Sequence, residues 1–217
     1  MSAAAVTAGA GPLAAAPDPI AVYRDDGPLA TLLAPLGRAL RLPGPVLIVL
    51  GLAPVLVAAV VGVSEPVAAV IVAWLIVTVG ASAGARPRPR IRWAEPPLVR
   101  ASEYVALIWI AGLEGPEAYP AAFALLAALT FRHYDLVYRL RHRGVVPARW
   151  VSVLSGGWDG RLVLAFVLLV AGALPAGYFV VAAVLGAVFV GEAVYAWVAV
   201  GRVQRPLDYE DEEDEGQ

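Results

Sequence analysis

Cysteine and lysine are both missing from this 217-residue chain, and histidine occurs only twice. Without cysteine there is no disulfide framework, no thiolate metal site and no cysteine nucleophile. Charged residues make up 16% of the chain, whereas hydrophobic residues make up 60%. An ordinary soluble domain of this size has no interior large enough to bury that much apolar surface, so the composition predicts an integral membrane protein.

The formal net charge of −2 hides an uneven distribution of charge. Seven of the 18 acidic residues lie in the last ten positions, so residues 1–207 carry 16 arginines and 11 acids, a balance of +5. The arginines interrupt apolar runs and are not interleaved with exposed aromatic residues, which argues against nucleic-acid binding. They are better explained as markers of membrane topology.

Four regions differ in composition along the chain. Residues 1–19 form an Ala/Gly/Pro tract, which predicts a disordered linker. Residues 20–43 place apolar side chains at helical spacing, which fits an amphipathic interfacial helix or a solvated juxtamembrane loop. Residues 44–205 contain the long apolar runs and form the expected helical transmembrane domain. Residues 206–217 are strongly acidic and are expected to be a disordered, solvated tail.

The apolar runs predict an all-α integral membrane protein, a six-helix transmembrane bundle built from three hairpins. The expected spans are 45–64, 67–85, 98–113, 118–140, 161–174 and 177–201. The arginine- and proline-rich stretch 86–100 should be neither helical nor buried. Because the third span is short and the fourth is polar, the alternative is four spans plus a re-entrant hairpin at 98–140.

The positions of the arginines predict which side of the membrane each loop occupies. Six spans with both termini inside place all 16 arginines on one side, while the turns at 64–66, 114–117 and 175–176 hold only acids or no charge. Cytoplasmic loops collect basic residues near helix ends. The sequence therefore predicts a multi-pass protein of the plasma membrane with both termini cytoplasmic, and the four-span alternative keeps the same sidedness.

Four carboxylates fall at one depth near the cytoplasmic helix ends: Glu103, Asp135, Asp159 and Glu192. Ionisable groups within membrane segments usually face the bundle interior or a cavity. Local ion pairs on a helix surface explain two of them cheaply, because Glu103 follows Arg100 by three positions and Asp135 lies between Arg132 and Arg139.

The other two acids, and one histidine, are harder to explain. Glu192 has no basic residue within a helical turn, so it is neutral, pairs across helices or lines a wet site. Asp159 lies between glycines just before an apolar helix, where an aspartate N-cap is the common explanation and phosphate binding at that helix end is the alternative. His133 stands beside the carboxylates as a candidate ligand or base, or is merely interfacial.

These residues define a candidate polar site. The candidate catalytic residues are Glu192, Asp159 and His133. The candidate ligand-binding residues are Arg100, Glu103, Tyr104, Arg132, Asp135, Arg139 and Arg161, since arginine can hold a phosphate through two parallel hydrogen bonds. The candidate metal ligands are Asp135, Asp159 and Glu192, and carboxylates without cysteine would suit Mg²⁺ or Mn²⁺ better than Zn²⁺.

Four segments carry a family resemblance: RDDGPLA (24–30), RASEY (100–104), RHYDLVYRLRHRG (132–144) and GWDGR (157–161). They resemble the actinobacterial membrane domain of unknown function, over about residues 20–205. That domain is often fused behind a CDP-alcohol phosphatidyltransferase domain, so the resemblance implies a role in phospholipid metabolism and such an enzyme as a partner.

The chain does not carry the catalytic motif of the CDP-alcohol phosphotransferases themselves, which begins D-x2-D-G-x2-A-R. The stretch from Asp26 to Ala30 matches only D-G-x2-A. Tyr23 stands at the position of the preceding aspartate and Thr31 at that of the arginine. The metal site of that family is therefore not expected here.

Two functions of different classes follow. The first is a membrane protein of phospholipid head-group metabolism, with a cytoplasm-facing polar pocket for a phosphorylated lipid or head group. The second is a non-catalytic membrane module that docks or positions a partner lipid-synthesis enzyme, its polar groups being internal ion pairs. The two are distinguished by whether Glu192 and Asp159 share a pocket with Arg100 or Arg139, or point to separate neighbours. A transporter has less support, because neither internal repeats nor broken-helix pairs are apparent.

Overall fold

The structure is a computed structural model that describes residues 18–143 and 149–203. These residues form nine α-helices, a few short 3-10 turns and no β-strand. The helices are α1 (Pro19–Arg24), α2 (Pro28–Leu40), α3 (Gly44–Val61), α4 (Glu65–Ala81), α5 (Glu95–Glu114), α6 (Tyr119–Arg143), α7 (Arg149–Leu154), α8 (Gly157–Val170) and α9 (Leu174–Val203). The expected all-α fold is therefore confirmed for the described ranges. Nearly all of the expected linker, up to residue 17, and the acidic tail lie outside them.

The long helices follow one another in pairs joined by short turns. Residues 62–64 join α3 to α4, residues 115–118 join α5 to α6, and residues 171–173 join α8 to α9. Only Ser155 and Gly156 separate α7 from α8. This is the order of helix pairs that three hairpins require.

Four stretches are long and apolar enough to cross a membrane: Gly44–Val61, Glu65–Gly84, Trp150–Val170 and Leu174–Val198. Helices α5 and α6 are not among them, because ionisable residues interrupt their apolar sequence. These are Glu95, Arg100 and Glu103 in α5, and Arg132, Asp135 and Arg139 in α6. By length and composition, then, four spans are supported, and the expectation of six depends on these two helices.

Helix α5 runs parallel to α3. Near the start of both helices, a Cβ atom built on Gly44 would lie only 2.6 Å from Glu95 Oε1. Toward the other end of both helices, Ala58 and Trp109 line the same cavity of about 320 Å³. Proximity near both ends indicates that α5 extends along the same length of the bundle as α3.

Helix α6 runs parallel to α9 in the same way. Gly186 packs near Ala128, whose Cβ atom would lie 3.8 Å from a Cβ built on the glycine. About three helical turns later, the rings of Tyr138 and Trp197 are 5.6 Å apart. The two helices therefore keep a constant register, with α6 lying alongside an apolar helix.

The segment 20–43, expected as one interfacial helix, forms two helices separated by a turn at 25–27. Small residues of α2 pack against α4 and the turn after it. A Cβ on Gly37 would meet the Ala81 carbonyl oxygen at 1.7 Å, and one on Gly84 would meet that of Ala34 at 1.8 Å. The opposite face of α2 carries Leu32, which is 73% exposed. The helix is amphipathic as expected, but its small residues fix it to α4 through direct backbone contact.

Helix α5 begins at Glu95, so the expectation that all of 86–100 is non-helical is wrong for its last six residues. Pro96 and Pro97 lie in the first turn, where proline is tolerated because the N–H it lacks would have no helical partner. The early start lengthens α5 to 20 residues, about 30 Å at 1.5 Å per residue. It also places Arg100 and Glu103 within the bundle, where both are buried.

The core of the bundle is apolar along most of its length and ionic at one end. Its largest fully buried side chains include Trp158, Tyr178 and Phe189. The buried charged residues gather where α3 and α5 begin and α4 and α6 end, and we call this the charged end of the bundle. They are Arg24, Glu95, Arg100, Glu103, Arg132, Asp135, Arg139, Asp159 and Arg161.

Candidate polar site at the charged end

The charged side chains at this end form two groups held by different helices. The central cluster comprises Arg24, Asp25, Asp26, Glu95, Arg100, Glu103, Asp159 and Arg161. The α6–α9 cluster comprises Arg132, Asp135, Arg139 and Glu192. Each candidate site residue belongs to one of these clusters except Tyr104 and His133, which bond to each other.

Asp159 caps the N-terminus of a helix that is remote in sequence. Its Oδ1 atom accepts a hydrogen bond of 2.7 Å from the Gly27 N–H. Its Oδ2 atom accepts two more, from the N–H groups of Leu29 at 2.6 Å and Ala30 at 2.9 Å. Gly27 is the N-cap residue of α2 and has no side chain to satisfy these donors. The fully buried carboxylate of Asp159 satisfies them instead.

The expectation that Asp159 caps its own helix is therefore wrong. Helix α8 begins at Gly157, with Gly156 as its N-cap and no side-chain cap bond. Asp159 lies in the first turn of α8, and its side chain turns away toward α2. Both oxygens of the carboxylate accept backbone hydrogen bonds, so in this structure Asp159 serves as a cap for α2.

Two glycines allow α2 and α8 to approach closely enough for this cap. A Cβ on Gly27 would lie 2.1 Å from Asp159 Oδ1. Gly157 has a positive φ of 67°, and a Cβ there would lie 2.4 Å from the Gly27 nitrogen. The segments RDDGPLA and GWDGR thus dock on each other backbone to backbone, which explains glycine at both positions.

Glu103, which is fully buried, is held by two arginines. Arg161 Nε donates to Glu103 Oε1 at 2.6 Å, and Arg100 Nη1 donates to Oε2 at 2.9 Å. Arg161 Nη2 also donates to Asp25 Oδ2 at 3.0 Å. Arg100 Nη2 reaches the Tyr23 carbonyl at 2.9 Å. The local pair expected between Arg100 and Glu103 is present, but it is one part of a network that joins α1, α5 and α8.

Arg24 ties the end of α1 to α5 and to the turn after α4. Its Nε and Nη2 atoms donate to the two carboxylate oxygens of Asp26 at 2.8 and 3.1 Å. Nη1 reaches Glu95 of α5 at 3.3 Å, and Nη2 reaches the Ser82 hydroxyl after α4 at 3.0 Å. Trp158 of α8 donates to Asp26 Oδ1 at 2.9 Å. The turn between α1 and α2 is therefore a junction for α4, α5 and α8.

In the α6–α9 cluster, Glu192 pairs across helices. Arg139 donates to both of its carboxylate oxygens, from Nη1 at 2.8 Å and from Nη2 at 2.5 Å. Arg132 Nη1 donates to Glu192 Oε2 at 3.3 Å. Arg139 Nη2 also reaches Asp135 Oδ2 at 2.5 Å, which confirms the expected local pair. Of the three alternatives left open for Glu192, the structure shows the ion pair across helices. Arg139 binds it through two hydrogen bonds, which is the strong, bidentate form of an arginine–carboxylate pair.

Tyr104 and His133 join α5 to α6. The tyrosine hydroxyl bonds to His133 Nδ1. His133 Nε2 is buried and has no hydrogen-bond partner among the described residues. The bond to Tyr104 places His133 at the contact between α5 and α6.

The three candidate metal ligands do not come together. Asp159 caps α2, whereas Asp135 and Glu192 both bind the guanidinium of Arg139. In residues 18–143 and 149–203, no group of three or more His, Asp or Glu side chains is placed to hold a metal ion. A cation between Asp135 and Glu192 would have to replace Arg139, so the residues present do not fit a Mg²⁺ or Mn²⁺ site.

Sequence reasoning missed Arg24, Asp25, Asp26 and Glu95 as members of the site. The sequence feature that could have revealed them is the pair of adjacent aspartates before Gly27 in RDDGPLA, because acids next to a packed helix need basic or donor partners. The expected interfacial helix at 20–43 would provide no such partners. Asp25 has a left-handed backbone with φ of 49°, which turns the chain back after α1.

Residues 14–215 match the model of one protein family, described as a family of unknown function (DUF5941). The match covers most of the chain, which therefore belongs to this family. Searches of curated proteins and of solved structures found no match. The expected membership of a family of unknown function is thus confirmed, while the fusion to a phosphatidyltransferase and the actinobacterial origin stay predictions.

Proposed function

We propose that this member of the family is a non-catalytic membrane domain of six spans, which docks a partner lipid-synthesis enzyme at the cytoplasmic face of the plasma membrane. One observation carries the non-catalytic part. The two acids favoured for catalysis, Asp159 and Glu192, bind separate neighbours within the protein, one a helix N-terminus and the other two arginines. That is the arrangement expected of internal structural contacts.

The parallel packing of helices supports six spans. Helix α5 follows α3 near both ends, and α6 follows α9 in register over about three turns. A helix that accompanies a membrane-crossing neighbour over such a length reaches the same depth. The charges of α5 and α6 do not oppose this, because ionisable groups in membrane segments face the bundle interior and pair with one another. Helix length and composition single out only four stretches of the described residues, so the argument for six rests on this packing.

The distribution of arginine supports cytoplasmic termini. The turns at 62–64, 115–118 and 171–173 contain no arginine. At the charged end, the loop after α4 carries Arg86, Arg88 and Arg90, all exposed. Basic loops remain in the cytoplasm, so the charged end would face inward.

A pocket for a phosphorylated head group at the ion clusters has less support. The arginines that would hold the phosphate already bind carboxylates: Arg100 and Arg161 bind Glu103, and Arg132 and Arg139 bind Glu192. A phosphate would have to displace buried acids from each pair. This would leave those acids uncompensated, at a cost of several kcal/mol.

The partner enzyme is proposed from the family resemblance. The docking surface is proposed from side chains that the bundle leaves exposed. A CDP-alcohol phosphatidyltransferase is the enzyme class that the resemblance implies. The loop at 86–93 offers three exposed arginines and Trp93, which is 72% exposed. Exposed arginine next to exposed tryptophan is the composition typical of protein interfaces.

Co-purification with the enzyme tests this function. The tagged full chain would be co-expressed with a CDP-alcohol phosphatidyltransferase from the same organism, extracted in mild detergent and assayed for transfer from CDP-diacylglycerol. We expect transfer activity only when the enzyme co-purifies. A triple variant, Arg86→Gln, Arg88→Gln and Arg90→Gln, should lose the enzyme but remain folded, while the matched control Arg38→Gln with Arg41→Gln should retain it. Transfer by the chain alone would overturn the non-catalytic role, and unchanged co-purification of the triple variant would overturn the proposed docking surface.

A further inference from the structure

A groove of about 570 Å³ lies between α6 and α9 near the charged end. Its lining comes only from these two helices and comprises Phe131, Tyr134, Asp135, Tyr138, Val190, Ala193, Val194 and Trp197. Most of these side chains are substantially exposed: Phe131 is 40% exposed, Val194 57% and Tyr134 69%. The groove is separate from the central cluster, and its volume falls in the range of about 300–1,000 Å³ typical of ligand sites.

The groove lining changes along the helix axes, from purely apolar side chains to aromatic side chains that carry polar groups. Phe131 and Val190 lie farther from the charged end than Tyr138 and Trp197, by seven residues on each helix, or about 10 Å. The Tyr138 ring lies 5.6 Å from that of Trp197 and 4.7 Å from that of His142. Tyrosine and tryptophan concentrate where the hydrocarbon of a membrane meets the head groups. The groove therefore passes from hydrocarbon depth to head-group depth.

The charged side chains of α6 and α9 that the structure describes are three arginines and two acids, an excess of one positive charge. Asp135 in its wall is neutralised by Arg139, and Glu192 is paired with Arg132 and Arg139. One helical turn after Tyr138, the exposed Arg141 adds a further positive charge, and it takes no part in the ion pairs of Asp135 and Glu192 given above. Basic pockets between membrane helices on the cytoplasmic side bind anionic lipid head groups.

We propose that this groove binds one anionic phospholipid, with an acyl chain against Phe131, Val190 and Val194 and the phosphate near Arg141. The proposal rests on the membrane embedding proposed above, but not on the docking of an enzyme. Charge complementarity favours an anionic lipid over a zwitterionic one. The aromatic rings with polar tips favour a lipid over a purely apolar partner helix, which would leave those tips without water or head groups.

Lipid retention measured by native mass spectrometry tests the proposal. The full chain would be purified from nanodiscs containing equal amounts of phosphatidylglycerol and phosphatidylcholine. We expect one phosphatidylglycerol per chain to survive detergent exchange in the wild type. Val194→Trp should fill the groove and abolish this retention. Val184→Trp is the matched control, because it makes the same change at another exposed position of α9, 52% exposed and outside the groove lining.

A charge variant tests which lipid is recognised. Arg141→Gln should weaken phosphatidylglycerol retention about fivefold and leave phosphatidylcholine unchanged, the effect of one basic residue at an anionic surface. The control Arg38→Gln removes an exposed arginine of α2 and should change neither.

Three results would overturn the proposal. The first is equal lipid retention in the two tryptophan variants. The second is equal retention of both lipids by the wild type. The third is a dimer that Val194→Trp converts to monomer with lipid retention unchanged, which would show that a second copy covers the groove. None of these results affects enzyme co-purification, so failure here is distinguishable from failure of the docking function.

Discussion

Asp159 Oδ1 and the Gly27 N–H, 132 positions apart in sequence, are joined by a buried hydrogen bond of 2.7 Å. The contact connects α2, near the start of the chain, directly to α8 of the third helix pair. Because Gly27 follows directly on Asp25 and Asp26, the same docking event sets the positions of the acids that Arg24 and Arg161 bind. One carboxylate at a helix end thus organises most of the central cluster.

Removing this cap should destabilise the bundle. Asp159→Ala would leave three N–H groups without this partner, those of Gly27 and Ala30 buried and that of Leu29 partly buried. We expect the free energy of unfolding to fall by about 2–3 kcal/mol. Asp159→Asn should be nearly as harmful, because one end of the amide is a donor and would face N–H groups. Asp18→Ala is the control, since Asp18 caps α1 in an exposed position through a bond to the Ile20 N–H. Denaturation in detergent micelles measures all three, and a harmless Asp159→Asn would contradict the cap.

The glycine contact makes an independent prediction. Gly27→Ala would place a methyl group 2.1 Å from Asp159 Oδ1 and 2.4 Å from the Gly156 carbonyl oxygen, so α2 and α8 must separate. We expect a loss of about 2 kcal/mol or more and a lower melting temperature. Gly160→Ala is the matched control, because it lies in α8 with nothing within 4 Å of its added Cβ. It should be neutral or stabilise by up to about 1 kcal/mol through helix propensity. Equal melting temperatures for the two variants would contradict the close packing.

Cysteine labelling tests the number of spans, since the chain has no native cysteine. Single cysteines at Ser64, Pro116 and Ala171, one in each turn opposite the charged end, should react with an impermeant maleimide added outside intact cells. A cysteine at Arg88 should react only after the membrane is permeabilised. Protection at position 116 together with labelling at 64 and 171 would leave only four spans.

Much of this architecture could be predicted from sequence because apolar run length is a strong signal. The runs that became α3, α4 and α9 are long enough that no other structure would satisfy their backbone in a membrane. Helix α5 was harder to predict, because its first turn contains Pro96 and Pro97, which resemble a break. The start of a helix tolerates proline, and only the structure shows that the helix begins at Glu95.

The partners of the charged residues could be predicted only where they are local in sequence. The pairs of Arg100 with Glu103 and of Asp135 with Arg139 follow from helical spacing and are present. The contact of Asp159 with α2 could not be predicted, because a single sequence gives no information on which distant helix end lies nearby. For the same reason the sequence left Glu192 with three alternatives.

Glu192 provides the strongest test of whether the α6–α9 cluster is structural. Glu192→Gln removes one negative charge and leaves Arg132 and Arg139 facing a single acid, Asp135. Breaking a buried pair in this way costs about 3–5 kcal/mol, so the melting temperature should fall markedly. Glu65→Gln, an exposed glutamate at the opposite end of the bundle, should have little effect. A Glu192→Gln variant that keeps its stability would indicate a hydrated site instead of an internal pair.

The charge balance of the α6–α9 cluster predicts that a second substitution restores stability lost to the first. The cluster holds two arginines and two acids, so each single neutral variant leaves one excess charge: positive for Glu192→Gln and negative for Arg132→Gln. The double variant leaves Arg139 paired with Asp135 at 2.5 Å and no net charge. If the residues act as an internal ion cluster, the double variant should be more stable than either single variant, because contacting charges couple strongly and non-additively. Thermal unfolding of the four proteins completes the cycle. Strictly additive losses would show that Arg132 and Glu192 act independently and would remove the ion pair as the reason for their burial.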